Sequence, residues 1–296
     1  MHLWQIRHIP NVASNLRRLF DRHRSHTPLA LCGTLIALFA TPTSFAQSAK
    51  PTDYLKAAQQ AIGQHRSIRA EVVETVGLTD PPFKLTGTYL AAGLKLRLSY
   101  QSKLPSGAAG SLTEVCDGER LWSLTELPGS KRVTRRDIRQ ILAAVESSRM
   151  KPERAAAVDL ALGGLPALLT SLQRTMDFDA MKEETVDQRG VIVLQGKWNE
   201  EWLGKLAGKK GEFPPHLPEA VRIYFAADTK FPERLLYLKL QPNKKYKPLL
   251  DLQFRNVVLD GPVDDREFDF TPPENVEPED VTRQYLDQLF PSEETK

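Results

Sequence analysis

From residue 83 onward the chain alternates between apolar and polar positions. In "FKLTGTYLA", residues 83 to 91, Phe83, Leu85, Gly87 and Tyr89 fall on one side, and Lys84, Thr86 and Thr88 on the other. In "LKLRLSY", residues 94 to 100, Leu94, Leu96, Leu98 and Tyr100 alternate with Lys95, Arg97 and Ser99. A period of two over such lengths predicts antiparallel strands with one apolar face. The same pattern returns late in the chain and predicts strands near 186–198, 220–226, 234–241, 250–259 and 266–270. Leu236, Leu238 and Leu240 share a face, as do Leu250, Leu252, Phe254 and Val258, and "EFDF" sets Phe268 and Phe270 against Glu267 and Asp269. Clusters such as "GKKGEFPPHLP" and "QPNKKYKP" separate these runs as loops do.

Helical periodicity frames the strands. Thr52 can cap "DYLKAAQQAIGQHR", with Asp53 favouring the positive end of the helix dipole. In "RVTRRDIRQIL", Thr134 and Asp137 have the spacing of a capping box and Val133 and Ile138 that of a hydrophobic staple. That predicts a helix in which Ile138, Ile141, Leu142 and Val145 form the apolar stripe and Arg135, Arg136 and Arg139 lie mostly elsewhere. These arginines are candidates for meeting anionic headgroups, or for a solvated helix face. Residues 155 to 172, "AAAVDLALGGLPALLTSL", read as an apolar pair of helices broken at Gly163-Gly164 and restarted at Pro166. A short charged helix and a polar tail are expected from residue 278 to residue 296.

The stretch "EVCDGERLWSL", residues 114 to 124, poses a choice between a reactive cysteine and a hairpin. Asp117-Gly118 signals a type I′ turn, pairing Cys116 with Glu119, Val115 with Arg120 and Thr113 with Trp122. Cross-strand partners share a face, so Val115, Trp122 and Leu124 point one way and Cys116 the other. Glu114 and Glu119 flank the thiol and oppose its ionisation, the reverse of what a nucleophile needs.

Charge changes the picture once the first 46 residues are set apart. Arg17, Arg18, Arg22 and Arg24 precede an uncharged run that ends at Ser44-Phe45-Ala46, the composition of a signal peptide cleaved after about Ala46. Its apolar core, Leu29 to Ala40, is shorter than the roughly 20 residues a membrane span requires. The segment holds five of the 40 basic residues and one of the 37 acidic ones, which turns the net charge of +3 into one near −1 for the rest. No concentrated basic surface is left for nucleic acid. The expectation is a periplasmic protein with one domain over residues 47–277.

Candidate chemistry is sparse. Only His65 and His216 remain beyond the leader, too few for a histidine-rich zinc site. No G-x-S-x-G, G-x-G-x-x-G or Walker sequence occurs. The carboxylates Asp264, Asp265, Glu267 and Asp269 read as a solvated turn and strand face. The expectation is a protein with no catalytic residues, no metal and no cofactor, acting as a monomer. A hydrolase with an unrecognised carboxylate site is the alternative from another class.

"TGTYLAAGLKLRLSY", then "DGERLW", then helices, then strands ending in "FDFTPP", resembles the periplasmic lipoprotein-carrier (LolA-type) superfamily of lipid-binding half-barrels. The matching positions are Gly87, Tyr89, Asp117, Gly118, Trp122, Phe268, Phe270 and Pro273, within residues 52 to 276. The resemblance implies an α+β fold: a strongly curved antiparallel sheet, an unclosed β-barrel, with helices covering its concave face. It also implies a cavity for a lipid or a lipoprotein acyl chain, with membrane surfaces or envelope proteins as further partners. An envelope sensor using the same fold is the alternative. The residues expected to line the cavity are Phe83, Leu85, Tyr89, Leu96, Leu98, Tyr100, Trp122, Ile141, Leu142, Leu165, Leu168, Leu169 and Leu172, with Gly163-Gly164 as the hinge of a helical lid.

Overall fold

The computed structural model describes residues 50–79, 81–103, 109–146, 163–206, 213–214 and 216–289. The leader expected over residues 1–46 and the 155–162 part of the apolar helical segment lie outside the described residues. The first helix, α1 (Pro51–Gln64), buries Leu55, Ala58 and Ile62, whose spacing puts them on one stripe. Six strands follow: β1 (Ile68–Val76), β2 (Phe83–Ala92), β3 (Lys95–Lys103), β4 (Ala109–Cys116), β5 (Arg120–Leu127) and β6 (Ser130–Asp137). Two helices come next, α2 (Ile138–Glu146) and α3 (Gly164–Thr175), and then β7 (Met176–Val186) and β8 (Arg189–Trp198). The chain continues through α4 (Glu200–Leu206), β9 (Ala220–Ala226), β10 (Pro232–Leu240) and β11 (Tyr246–Leu259). A 3-10 turn at Asp265–Phe268, β12 (Glu279–Asp280) and α5 (Thr282–Leu289) complete it.

All twelve strands join one curved sheet in the order β12-β6-β5-β4-β3-β2-β1-β11-β10-β9-β8-β7. Only β12 runs parallel to its neighbour. The two ends of the order do not pair with each other, so the barrel stays unclosed, as the resemblance implies. Register defines the faces. Tyr89 lies opposite Leu98 and Ala70, Gly87 opposite Tyr100 and Val72, and Val72 opposite Phe254. These residues share the concave face, where α1 and α3 sit. Gly87 is needed for the approach of β2 to β3: a Cβ there would stand 1.7 Å from the Ser99 carbonyl oxygen.

Several expectations are corrected. The capping-box spacing at Thr134 and Asp137 does not start a helix at Thr134. Residues 130–137 are strand β6, and its last residue, Asp137, caps α2, its carboxylate accepting from the Gln140 amide at 2.8 Å. Arg135 and Arg136 are therefore strand residues on opposite faces. Residues 266–270 do not form a strand; "DREF" is a 3-10 turn closed by a capping box between Asp264 and Glu267. Asp117-Gly118 is not a type I′ turn. Gly118, with φ 99°, is the first central residue of a turn in which the Asp117 amide donates to the Arg120 carbonyl, and Cys116 pairs with Leu121. The shift is two residues, so facing is preserved: Val115 lies opposite Trp122, and Cys116 points the other way. A hairpin whose two loop residues both take positive φ is instead Asp187-Gln188, joining β7 to β8. Positive φ at Asn256 accompanies a register shift of β11 against β1, and Val258 turns outward, half exposed at 50 %.

The convex face has its own cover. After β11 the chain runs back across β1 to β5 as a strap. Arg69 donates to both oxygens of Glu267 at 3.0 and 2.9 Å, and Lys95 pairs with Asp265 at 2.8 Å. Arg97 donates to the Glu267 and Asp269 carbonyls at 3.0 and 3.3 Å. Phe268 is buried against Leu90 and Val115, and Phe270 stacks on Trp122 with ring centroids 5.5 Å apart. The strap ends in β12, beside β6, where Arg132 and Arg135 pair with Glu279 and Asp280. In α5, the Tyr285 hydroxyl accepts from Arg136 at 2.8 Å. The acidic run at 264–269 is thus the polar side of a fastener. Removing a buried phenyl ring costs about 3 kcal/mol or more, so Phe268→Ala is expected to lower unfolding stability by about that amount, read from a urea midpoint at unchanged slope. The same change at half-buried Phe270 should cost less.

Candidate lipid-binding face

The concave face begins with an aromatic and aliphatic floor. Tyr89, Leu96, Leu98 and Tyr100 are each no more than 4 % exposed. Phe254 meets Tyr89 edge to face at 5.7 Å and Phe231 at 5.6 Å. Alternation along β2, β3 and β11 places these rings on one side, and strand order places them beside one another. The helices rest on this floor. Tyr54 of α1 packs edge to face on Phe225 at 5.6 Å. In α3, Leu165, Leu168, Leu169 and Leu172 are buried, and their three- and four-residue spacing makes one stripe. Gln59 of α1 donates to Thr170 of α3.

The start of α3 has an unusual cap. Gly163 has no side chain to satisfy the first amides, and both Gly163 and Gly164 take positive φ, 75° and 78°. The Leu165 amide instead donates to the Tyr89 hydroxyl at 3.1 Å, so a phenol from the sheet does the work of an N-cap. Burial pushes the Tyr89 hydroxyl up to about 12, which keeps it neutral. Two left-handed glycines are the conformation that glycine alone adopts readily, and they sit where the sequence places a hinge.

Toward the other end of the strands the face is less covered. Phe83 and Leu85 are half-buried on β2, as is Leu112 on β4. Between the two ends lies a polar group that the hydrophobic pattern does not announce. Glu74 on β1 is 1 % exposed and Glu114 on β4 is 2 % exposed, with Tyr100 hydrogen-bonded to Glu74. Burial raises the Glu74 carboxyl to about 7 and drives the Tyr100 hydroxyl well above its ordinary value, an effect that Glu74 reinforces.

Of the expected lining residues, the structure brings Tyr89, Leu96, Leu98 and Tyr100 together with the α3 leucines. Trp122 is the exception. It faces the convex side, stacked on Phe270 beneath the strap, with Arg135 5.9 Å above its ring. The reason is parity: Trp122 pairs with Val115, one residue out of step with Cys116, which shares the concave side with Leu96. Ile141 is buried and Leu142 half-buried on α2, a helix that packs on β5 and α5. Phe225, Phe231 and Phe254 were not singled out as floor residues; their alternation is visible in sequence, but their partners depend on strand order. Nor do the arginines form a headgroup site. Arg135 pairs with Asp280, Arg136 is buried against Tyr285, and Arg139 pairs with Glu119 at 2.7 Å.

Cys116 is buried and its thiol is raised, first by burial. Among the described residues no group of three or more histidine, cysteine or carboxylate side chains could hold a metal ion. What the face offers is an apolar surface with one buried carboxyl group near neutrality.

No protein-family model matches the chain, and no curated protein is similar to it. Solved structures are similar. The putative outer membrane lipoprotein-sorting protein domain from Vibrio parahaemolyticus is 11% identical, over 74% of this chain and 97% of that one, at a TM-score of 0.31. LprF from Mycobacterium bovis is 11% identical, over 72% and 94%, at 0.38. The lipoprotein LppX from Mycobacterium tuberculosis is 12% identical, over 72% and 97%, at 0.37.

The buried carboxyl sets a pH dependence. Glu74 rises from 4.5 to about 7 on folding, so the folded state holds a proton that the unfolded state has released in that window. Stability therefore falls as pH rises through it, by about 3 kcal/mol in full. Glu74→Gln is expected to match wild type near pH 4 and to exceed it by up to about 3 kcal/mol near pH 8, in denaturant titrations at both values. Equal loss of stability at both pH values would contradict the assignment.

Proposed function

We propose that this protein is an exported, non-catalytic binder of a lipid or lipoprotein acyl chain, held between the concave face of the sheet and the α3 helix. The observation that carries this reading is the way α3 is attached. Its leucine stripe lies on an apolar floor, the Leu165 amide in its first turn is held by one phenol, and it is entered through two left-handed glycines. An apolar contact with a glycine hinge can part and re-form around an apolar guest. Each buried CH₂ of an acyl chain contributes about 0.8 kcal/mol, so one or two chains could be retained with no specific polar contact. Half-buried Phe83 and Leu85 continue the apolar surface beyond the helices and would form the entrance. Tyr89, Leu96, Leu98, Tyr100, Leu165, Leu168, Leu169 and Leu172 would line the chain, with α2 contributing Ile141 and Leu142 at the β5 side. Residues 1–46 serve, on this reading, as a leader removed on export to the periplasm, and the remainder works as a monomer.

The test reads lipid binding and stability together. A carboxylate in an apolar site without a partner is strongly disfavoured. Leu169→Glu is expected to lower the affinity for a fluorescent fatty acid at least tenfold while a cooperative melting transition is retained. Because Leu169 is fully buried, Leu85→Glu at a half-buried entrance position is the companion variant, expected to weaken binding at nearly wild-type melting temperature. Absence of fatty-acid binding by the wild-type protein would end the proposal.

A further inference from the structure

One end of the sheet carries a surface that the interior does not explain. It is formed by the ends of β8, β9, β10, β11 and β1, which are neighbours in the strand order. Leu240 closes β10 opposite Tyr246 of β11, and the hairpin between them is "QPNKK". Leu78 follows the Gly77 amide, which donates to the Leu249 carbonyl at 2.8 Å. Helix α4 leaves β8 at the same end, with the Trp198 and Trp202 rings 6.4 Å apart and the Trp198 indole donating to the Pro218 carbonyl at 2.7 Å. Leu78, Leu203 and Leu240 are 36 %, 43 % and 40 % exposed, and they make up half of the large apolar side chains exposed among the described residues.

The rim carries a cluster of three lysines. Lys244, Lys245 and Lys247 are exposed, and no ion pair involves them among the described residues. Lys239, the cross-strand neighbour of Lys247, already has a partner in Glu219 at 2.8 Å. The acidic Glu200 and Glu201 lie in the first turn of α4, where the helix dipole favours them. Elsewhere several arginines pair with a carboxylate, among them Arg69, Arg132, Arg135, Arg139 and Arg234. Unpaired lysines beside exposed leucines and half-buried Tyr246 and Trp202 match the interface of an anionic bilayer. There, lysine stems lie along the apolar layer with their heads at the phosphates, and Tyr and Trp sit at headgroup level.

We propose that this end of the sheet is a docking surface for an anionic lipid membrane, with the Leu240–Tyr246 hairpin and α4 as the contact elements. Half-buried Phe83, opposite Val76 at the end of β1, lies toward the same end. Docking would therefore turn the less covered part of the concave face to the bilayer. The docking surface stands on the rim itself and not on the identity of any bound chain.

The experiment is cosedimentation of the full chain with vesicles of phosphatidylcholine, with and without phosphatidylglycerol, at low salt. Each lysine near an anionic surface contributes about 1 kcal/mol, so Lys244→Glu/Lys245→Glu is expected to lower affinity for the anionic vesicles at least about tenfold. The charge-matched control Lys56→Glu/Arg120→Glu, at exposed positions away from the rim, should change it by less than about threefold. Leu240→Ser should weaken binding to the anionic vesicles without altering melting temperature. The lysine variant should bind the fluorescent fatty acid as wild type does when no vesicles are present, which separates failure of the rim from failure of the interior site. Equal effects of the two double variants would overturn the proposal. So would a wild-type chain with no preference for anionic vesicles, which would leave the rim to an acidic protein partner.

Discussion

An open sheet of this width has two apolar faces, and neither can be left bare to water. That constraint organises the rest of the chain. Burial of apolar area is the main favourable term in folding, and the concave face satisfies it with α1 and α3. The convex face satisfies it with the strap from residue 261 to the start of β12, in which Phe268 is the buried ring, Arg69 of β1 holds the Glu267 side chain and Arg97 of β3 holds the backbone beside it. The two covers are held differently. The strap is fastened by charge-assisted bonds, including one Arg69 nitrogen that donates to both Glu267 oxygens, and these are directional. The α3 cover rests on leucines, which hold without direction.

The free edges need separate management, because an unpaired strand is a template for aggregation. At one end β12 shields two residues of β6, and the ion pairs of Arg132 and Arg135 hold it there. At the other, β7 carries Asp177, Asp179, Lys182, Glu183 and Glu184, and its pairing with β8 slips at Phe178 to Ala180. A charged, bulged edge resists addition of another strand. In the middle, Gly87 permits β2 to come closer to β3 than any side chain would allow.

The sequence carried the strands whose alternation is clean and lost those whose chemistry is mixed. β2, β3, β9, β10 and most of β11 follow from period two, because each has one apolar side. β1 was not anticipated: "IRAEVVETV" buries residues on both faces and includes a buried glutamate, so its polarity does not alternate with its facing. β6 was misread as the start of a helix because "RVTRRD" has capping-box spacing, although tertiary pairing with β5 governs it. "EFDF" alternates as a strand does, yet the Asp264 and Glu267 side chains satisfy backbone amides locally, and that closes a 3-10 turn. The candidate site was legible to the same extent. Tyr89, Leu98 and the α3 leucines are apolar at regular spacing, while the parity of the β4–β5 hairpin, legible in sequence, sets Trp122 on the face opposite Cys116. Glu74 gives no signal, since a carboxylate in a strand ordinarily marks the solvent side.

Glu74 also constrains what the interior can be. A carboxyl group buried beside Tyr100, with Glu114 near by, would be poorly tolerated in a core selected only for packing, because desolvating an ionised carboxylate is costly. At a value near 7 it is neutral for part of the physiological range, and Tyr100 can then either donate to it or accept from it. A neutral acid and a phenol disturb an apolar surface little, and they retain the ability to meet a hydroxyl or ester at the end of an acyl chain. The concave face thus combines an undirected apolar floor with one polar position fixed by β1, β3 and β4. Three strands of the sheet fix that position, so it is registered against the sheet and not against α3.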